Sequence, residues 1–531
     1  MNIAFARLKT AALATALVLG TVVTVHAETV LNRGNGAEPE TLDPHKSTGV
    51  TEANIIYDLL EGLLVFAPDG TPVPGAAESW DISDDGKTYT FHLRADAKWS
   101  NGDPVTSEDF VYSMRRAVDP ATASDYAPVM APIMNAEDII AGKTPVDQLG
   151  IEAVDANTLK INLKAPTPYF LGLLVHHISW PVHRATVEKF GDEWTRPGNS
   201  VTNGAFTITE WVPQSKIVLT KNPLFHDAAN VKLDKVVMYP TEDIDEEFKR
   251  FQAGELDFTY TMPTTKIDWA EKNMPNEYKN SPYFGTYYYV INLTKEPLGT
   301  NLNLRKSLAM AIDRDLIVGK ITQGGEAPAY EWVPPGVAGY DQQPAEFASM
   351  SQDERDAMAK QLMGEAGYGP DNRLKVTILY NNSERHQKIA IAIASMWREK
   401  LGVDTTLTNQ EWASYLDSRD KKNFEVARAA WIGDYMDASN FLDLFISSAG
   451  ERNDAGYDNP KFDELMNAAS VNPDPAARQD QLEEAERVFL ADLPMIPIYH
   501  YRNVKMVSPK VDGVVENVMG FNLDRYISKT N

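Results

Sequence analysis

The sequence predicts a mixed α/β protein built from several packed units, and three observations carry that reading. A strand-like stretch, LKVTILY over residues 374–380, is followed by the helically spaced RHQKIAIAIASMWREKL of 385–401 and a second strand over 404–408. That strand–helix–strand order is the grammar of a βαβ unit. Elsewhere, hairpin patterns predict antiparallel pairing, as in SWDISDDGKTYTFHL over 79–93, whose Asp84-Asp85-Gly86 turn separates two alternating runs. Finally, 531 residues at about 150 per domain suggest three or four units. The 43% apolar content, with 10 Trp, 22 Tyr and 19 Phe, suffices to build their cores.

Taken in order, the chain begins with an export signal. Arg7 and Lys9 precede an uncharged apolar run (AALATALVLGTVVTV, 11–25) that ends at Val25-His26-Ala27. This predicts a Sec signal peptide, too short to span a bilayer, cleaved after Ala27. No Cys lies at the cleavage point to carry a lipid anchor. Losing Arg7 and Lys9 takes the net charge from −25 to −27 in the mature chain. Such a field repels phosphate backbones and anionic lipid, so nucleic acid and membrane surfaces are excluded as partners. The absence of Cys removes disulfides, thiol nucleophiles and Cys-ligated metals together.

Gly34-Asn35-Gly36 lacks the third glycine of a dinucleotide fingerprint and reads as a turn. Residues 81–86 look faintly like a calcium loop, but the twelfth position is His92 rather than Glu, so hairpin chemistry is the reading. Residues 106–109 (TSED) cap a helix over DFVYSMRRAV, and LKINL (159–163) alternates like a half-buried strand. The dozen residues YFLGLLVHHISW (169–180) are too few to span a membrane and predict core. If this stretch is a strand, His176 and His177 face opposite ways; with His183 they lack a carboxylate to complete a metal shell and read as packed or solvent-facing histidines. Residues 303–319 predict one helix, 476–490 an amphipathic helix, and MIPIYHY (495–501) a last buried strand.

No GxSxG, HExxH or GxxxxGK[ST] pattern occurs, so catalysis is not expected and no metal or cofactor is called for. Binding chemistry is better represented. In VARAAWIGDY (426–435) a strand-like segment ends in a tight turn carrying Asp434 between Trp431 and Tyr435. Aromatics around a single carboxylate suit an ammonium group. Taken alone, Asp434 reads rather as an arginine partner or a helix cap, and Arg428, Arg419 and His386 as ordinary solvated or structural charges.

Further segments occur in one order from about Thr29 to the C-terminus: TLDPHK (41–46), YDLLEGLL (57–64), PGAAESW (74–80), TFHLR (90–94), KWSNG (98–102), EDFVY (108–112), VTNGA (201–205), TYYY (286–289) and ARAAW (427–431). Together they closely resemble the periplasmic oligopeptide-binding proteins of ABC importers, including the murein-tripeptide binders. The resemblance implies an α/β, two-lobed, three-domain solute-binding fold of the large dipeptide/oligopeptide type that closes by a hinge. Domain I would comprise residues 28–60, 185–284 and 502–531, domain II 61–184, and domain III 285–501.

A short peptide of about two to five residues would be held as an added strand. Its backbone would meet Thr48, Gly49 and Val50 on one side and Ala430, Trp431 and Ile432 on the other. Asp434 and Tyr126 match the groups at the peptide N-terminus, and Arg428, Arg419 and His386 those at its C-terminus. Trp412, Trp431, Tyr283 and Tyr288 match pocket aromatics. Gly285 and Ile432 stand where some relatives carry a Cys pair, and Thr322 where they carry a Lys. The implied partners are short peptides and an inner-membrane ABC permease, with the receptor a monomer free in the periplasm. The alternatives are the same fold holding murein tripeptide, glutathione or another small conjugate, and, further off, a periplasmic peptide hydrolase.

Overall fold

The computed structural model describes residues 28–530; the predicted signal peptide and its cleavage after Ala27 lie outside the described residues. Three sheets organise the chain. The first has the order Val30–Gly36, Lys235–Pro240, Lys216–Lys221, Phe206–Val212. Its first pair is parallel and joins strands some two hundred residues apart, while the other pairs are antiparallel. The second is wholly antiparallel, in the order Ala77–Ile82, Thr88–Leu93, Thr158–Asn162, Ile151–Asp155. The helix Ser107–Val118 buries Phe110, Met114 and Ala117. The expected capping box at its start is present, between Thr106 and Asp109.

The third sheet is mixed and six-stranded: Ala327–Pro328, Met495–Met506, Tyr278–Ile291, Val426–Ile432, Lys375–Asn381, Asp404–Gln410. Its last two strands are parallel and are bridged by the helix Glu384–Leu401, the βαβ unit read from the sequence. That helix buries Ile389, Ile393 and Trp397, and the indole N–H of Trp397 donates to Leu308 O at 2.9 Å. The two long strands, Tyr278–Ile291 and Met495–Met506, pair antiparallel over most of their length, with a break in register between Pro282 and Thr286. Above the break they belong to the third sheet; below it, Thr259 N donates to Met506 O and Phe258 bridges Val507, which ties them to the N-terminal region.

The C-terminal tail returns to that same region. Arg33 and Asp524 form a buried ion pair at 2.6 Å, and Arg525 meets Glu61 at 2.6 Å. Lys529 Nζ reaches Val30 O and the Asp257 carboxylate. The Phe521 ring stacks on Phe66 with centroids 5.4 Å apart.

Four local expectations need correction. Gly34-Asn35-Gly36 is strand rather than turn: it closes Val30–Gly36, and Gly34 is needed because a Cβ there would lie 1.4 Å from Glu247 Oε1. The helix expected over 303–319 breaks, because Asp313 accepts the Leu316 N–H and restarts the chain as a new turn after Leu302–Met310. Residues 169–180 form short helical turns rather than a strand, so His176 and His177 do not face apart but stack at 4.3 Å. The last strand runs on to Met506, well past residue 501.

The charged cluster under the tail makes a testable distinction. Burial, with Asp524 beside it, pushes the Asp58 carboxyl well up and so favours its neutral form, while it is the Asp524 carboxylate that meets Arg33 at 2.6 Å. Asp58→Asn is therefore expected to change unfolding free energy by no more than about 1 kcal/mol. Asp524→Asn strands a buried guanidinium and should cost about 3–5 kcal/mol. Urea melts of the two variants at pH 7 measure the difference; equal losses would contradict this division of charge.

Candidate binding site

The site grows from the strand Val426–Ile432. Small and β-capable residues let it lie between neighbours: one edge pairs antiparallel with Tyr278–Ile291 along its whole length. The other edge pairs with Lys375–Asn381 only at Val426 and Ala427. In an antiparallel ladder, residues alternate between those that exchange hydrogen bonds with the partner and those that turn both groups away. Asn292 N donates to Glu425 O and Gly433 N to Phe284 O, which sets the odd-numbered residues toward the partner strand. Arg428, Ala430 and Ile432 therefore turn their backbone groups to the open edge. Arg428 O is taken by the Tyr415 hydroxyl, which leaves the N–H and C=O of Ala430 and Ile432 presented together. Of the three residues expected to supply backbone, Trp431 does not, since its main chain is committed to Thr286. Its contribution is the ring, half-buried, with the indole N–H donating to Asn440 Oδ1 at 2.8 Å.

Asp434 sits just past the open edge. Its main-chain N–H also donates to Asn440 Oδ1, and its carboxylate, with 14% of the side chain exposed, lies 3.9 Å from His176 Nε2. Burial pushes this carboxyl up to about 7, against the lowering influence of Asn440 and Arg452. Tyr126 stacks on His176 at 4.9 Å, nearly parallel. The charge of Asp434, followed by burial, pushes the Tyr126 hydroxyl far up. Burial and then Asp434 act in the same way on Tyr57, and Tyr283 is also raised, first by burial. Asp434, Tyr126 and Tyr283, singled out in the sequence, are thus brought together.

His176 joins them, although the sequence pointed to it only as a packed histidine. Its Nδ1 accepts the Ile178 N–H at 3.2 Å, so the ring proton sits on Nε2, facing Asp434. Burial and His177 hold the ring neutral. No local pattern could have signalled this role, because the acid it faces lies far along the chain.

At the other end of the strand, Arg428 is buried against the Tyr287 ring, 5.0 Å from its centroid. It donates to Asn381 Oδ1 at 3.2 Å, while its Nε has no partner among the described residues. His386 lies beside it, Nδ1 3.2 Å from the Tyr287 hydroxyl. Burial, then Arg428 and Arg385, push this imidazole down to about 2, so it is neutral.

Several predicted site residues take other roles. Arg419 is not a free cation: it is half-buried against the buried Asp454, and its Nε lies 2.7 Å from Asp454 Oδ2. Tyr288 lies on the face of its strand opposite Tyr287 and is core, edge-on to Trp332 at 4.7 Å. Trp412 stacks on Tyr415 at 5.7 Å and is 53% exposed. Val50 does not extend a strand, because it opens the helix Val50–Leu59 with Gly49, in extended conformation, as its N-cap. The exposed Thr48 and half-buried Gly49 remain as backbone on that side, and Ser47 Oγ lies 2.8 Å from His177 Nε2. Gly285 and Ile432 lie directly opposite each other, and the isoleucine side chain covers the glycine.

The units on either side of this site touch. Tyr169, next to the second sheet, stacks parallel on Tyr435 at 5.8 Å. Arg478 lies over the same Tyr169 ring at 4.8 Å while gripping both oxygens of Asp437 at 2.7 Å.

Residues 71–453 match the bacterial extracellular solute-binding proteins, family 5 Middle. The chain belongs to this family. It is 43% identical over 494 residues to the periplasmic oligopeptide-binding protein OppA of Escherichia coli (strain K12), covering 92% of this chain and 90% of that one. Its fold matches the murein tripeptide binding protein MppA of Escherichia coli with a TM-score of 0.88 at 42% identity, over 95% of this chain and 99% of that one. Against an unliganded open form of MppA, at the same 42% identity and covering 95% and 98%, the TM-score is 0.77. Sequence identity is equal in the two comparisons, so the difference is one of arrangement, and this chain is arranged less like the unliganded open form. Among the described residues no helix is long and apolar enough to cross a membrane.

The strained acid predicts a pH dependence in the ligand-free protein. Asp434 titrates near 7 when folded and near 4 when unfolded. Its contribution is fully present below about pH 4 and is lost at up to about 1.4 kcal/mol per pH unit as pH rises to about 7. Asp434→Asn should therefore be more stable than the parent at pH 8, and the gap should narrow at pH 5. Urea denaturation at both pH values checks this, and a gap independent of pH would place the carboxylate in water.

Proposed function

We propose that the protein is a periplasmic receptor that binds short peptides by their backbone and charged termini and hands them to an inner-membrane ABC importer. The observation that carries this reading is an open strand edge with a buried acid at one end and a buried, partly unpartnered guanidinium at the other. An extended peptide laid along Ala430 and Ile432 gains main-chain hydrogen bonds that are blind to side chain. Its ammonium would meet Asp434 beside Tyr126 and His176, and its carboxylate would meet Arg428, so it would run antiparallel to the strand. From Asp434 to Arg428 is roughly 20 Å of strand at about 3.4 Å per residue, which sets an upper length of about six residues for an extended peptide that meets both, and shorter peptides fit where the two side chains reach inward. Thr48 and Gly49 would offer backbone from the other side, and bridging water would let the side-chain pockets tolerate variety.

The domain division into residues 28–60, 185–284 and 502–531, then 61–184, then 285–501, belongs to the same proposal, with the hinge where the two long strands lose register near Pro282 and Arg502. So do export by the Sec route with cleavage after Ala27, a monomeric state and the absence of catalysis. Murein tripeptide is the second reading of the cargo, favoured by the likeness to the murein tripeptide binding protein. It shares the same termini and differs only in which peptide is preferred.

Thermal melts of ligand-stripped protein test the reading. A free-amine tripeptide at 100 times its dissociation constant should add about 2.7 kcal/mol of stability. Its N-acetylated twin should add none. Asp434→Ala leaves the ammonium unpaired in a buried site and should weaken binding by roughly 10²-fold or more. If the acetylated peptide stabilises equally, or the variant loses less than fivefold by calorimetry, the acid does not receive the ammonium.

A further inference from the structure

We propose that Arg385 is a second guanidinium of the carboxylate-receiving end and acts together with Arg428; the inference rests on the peptide reading above. Arg385 lies in the first turn of the helix Glu384–Leu401, next to His386. Its guanidinium lies over the Tyr499 ring at 5.6 Å, as that of Arg428 lies over Tyr287 at 5.0 Å. Those two rings are themselves stacked at 4.7 Å, nearly parallel. The two cations therefore sit on neighbouring plates of one aromatic stack, with Tyr501 packed edge-on against Tyr499 at 5.2 Å.

Charge and hydrogen bonding both point to a missing anion. Arg385 pairs with Glu326, whose carboxylate is buried and also accepts from the Thr322 hydroxyl at 2.9 Å and the Gly324 N–H at 2.7 Å. Glu326 thereby fixes the guanidinium in place and cancels one of the two positive charges. With His386 neutral, Arg385, Arg428 and Glu326 together carry one net positive charge, which matches a single carboxylate. Meanwhile Nε of Arg385, Nε of Arg428 and the Tyr499 hydroxyl are all buried without a hydrogen-bond partner among the described residues. Buried donors in that condition are costly unless something accepts from them. A carboxylate facing two planar guanidinium groups is an acceptor of suitable geometry. Arg419, by contrast, already has Asp454 and adds no free charge to this end.

The test compares tri- and tetra-alanine with their C-terminal amides by calorimetry. The parent should bind the free acids more tightly than the amides. Arg385→Met should lose about 10- to 100-fold for the free acid of at least one length and leave its amide unchanged, which collapses the preference. Because this variant leaves Glu326 buried and unpaired, the double variant Arg385→Met with Glu326→Gln serves beside it and should show the same collapse. An unchanged preference, or an equal loss for acid and amide in the double variant, overturns the role of Arg385 while leaving the peptide reading intact. Failure of the parent to bind any of the four peptides overturns the peptide reading, and this inference with it.

Discussion

Everything at this site depends on a strand edge that the protein leaves unpaired. Buried backbone N–H and C=O groups are costly without partners, and exposed edges invite association, so folded proteins close or cover them. Here the strand Val426–Ile432 is central in its sheet at one end and open at the other, because Lys375–Asn381 stops pairing after Ala427. The Tyr415 hydroxyl closes one carbonyl, at Arg428. The groups of Ala430 and Ile432 remain on that open side. An edge of that kind needs a temporary strand, and a peptide backbone is the molecule that supplies one.

The charges at either end follow the same logic. Asp434 is held in a pocket of Tyr126, His176 and Trp431 surroundings that disfavours its ionised form, and Arg428 is buried with an unsatisfied Nε. Each is a poor arrangement for the empty protein, and under the proposed reading a charged peptide terminus would supply the missing partner. Contacts between the two sides are distinct from this strand edge. Tyr169 on Tyr435 and Arg478 over Tyr169 hold the two sides together through rings and an ion pair already satisfied within one side. The contacts between the two sides therefore use residues other than those proposed to hold the peptide.

Local features were legible in the sequence because they are encoded locally. The hairpin of residues 79–93, the capping box at Thr106 and the βαβ order of 374–408 all appear as read. What the sequence hides is pairing over distance and the face a residue takes. Period-two alternation puts Tyr287 and Tyr288 on opposite faces of one strand, but nothing in TYYY says which face meets the cleft; Tyr287 does and Tyr288 is core. Arg419 and Arg428 are alike as residue types, and only the fold shows that the first already has an acid, Asp454. His176 reads as a core histidine and is one, yet its ring proton faces Asp434. Family resemblance pointed to Asp434, Tyr126 and Arg428, and the structure sets Asp434 and Tyr126 around His176, with Arg428 at the other end of the same strand.

The most direct measurement of the central claim is residue-resolved amide hydrogen exchange across Val426–Ile432, with and without bound trialanine. The open edge predicts fast exchange at Ala430 and Ile432 in the ligand-free protein, strong slowing on binding, and little change at Trp431, whose N–H is already committed to the neighbouring strand. Slow exchange at Ala430 and Ile432 before ligand is added, or binding that leaves both unchanged, would contradict an account in which the peptide is held as an added strand.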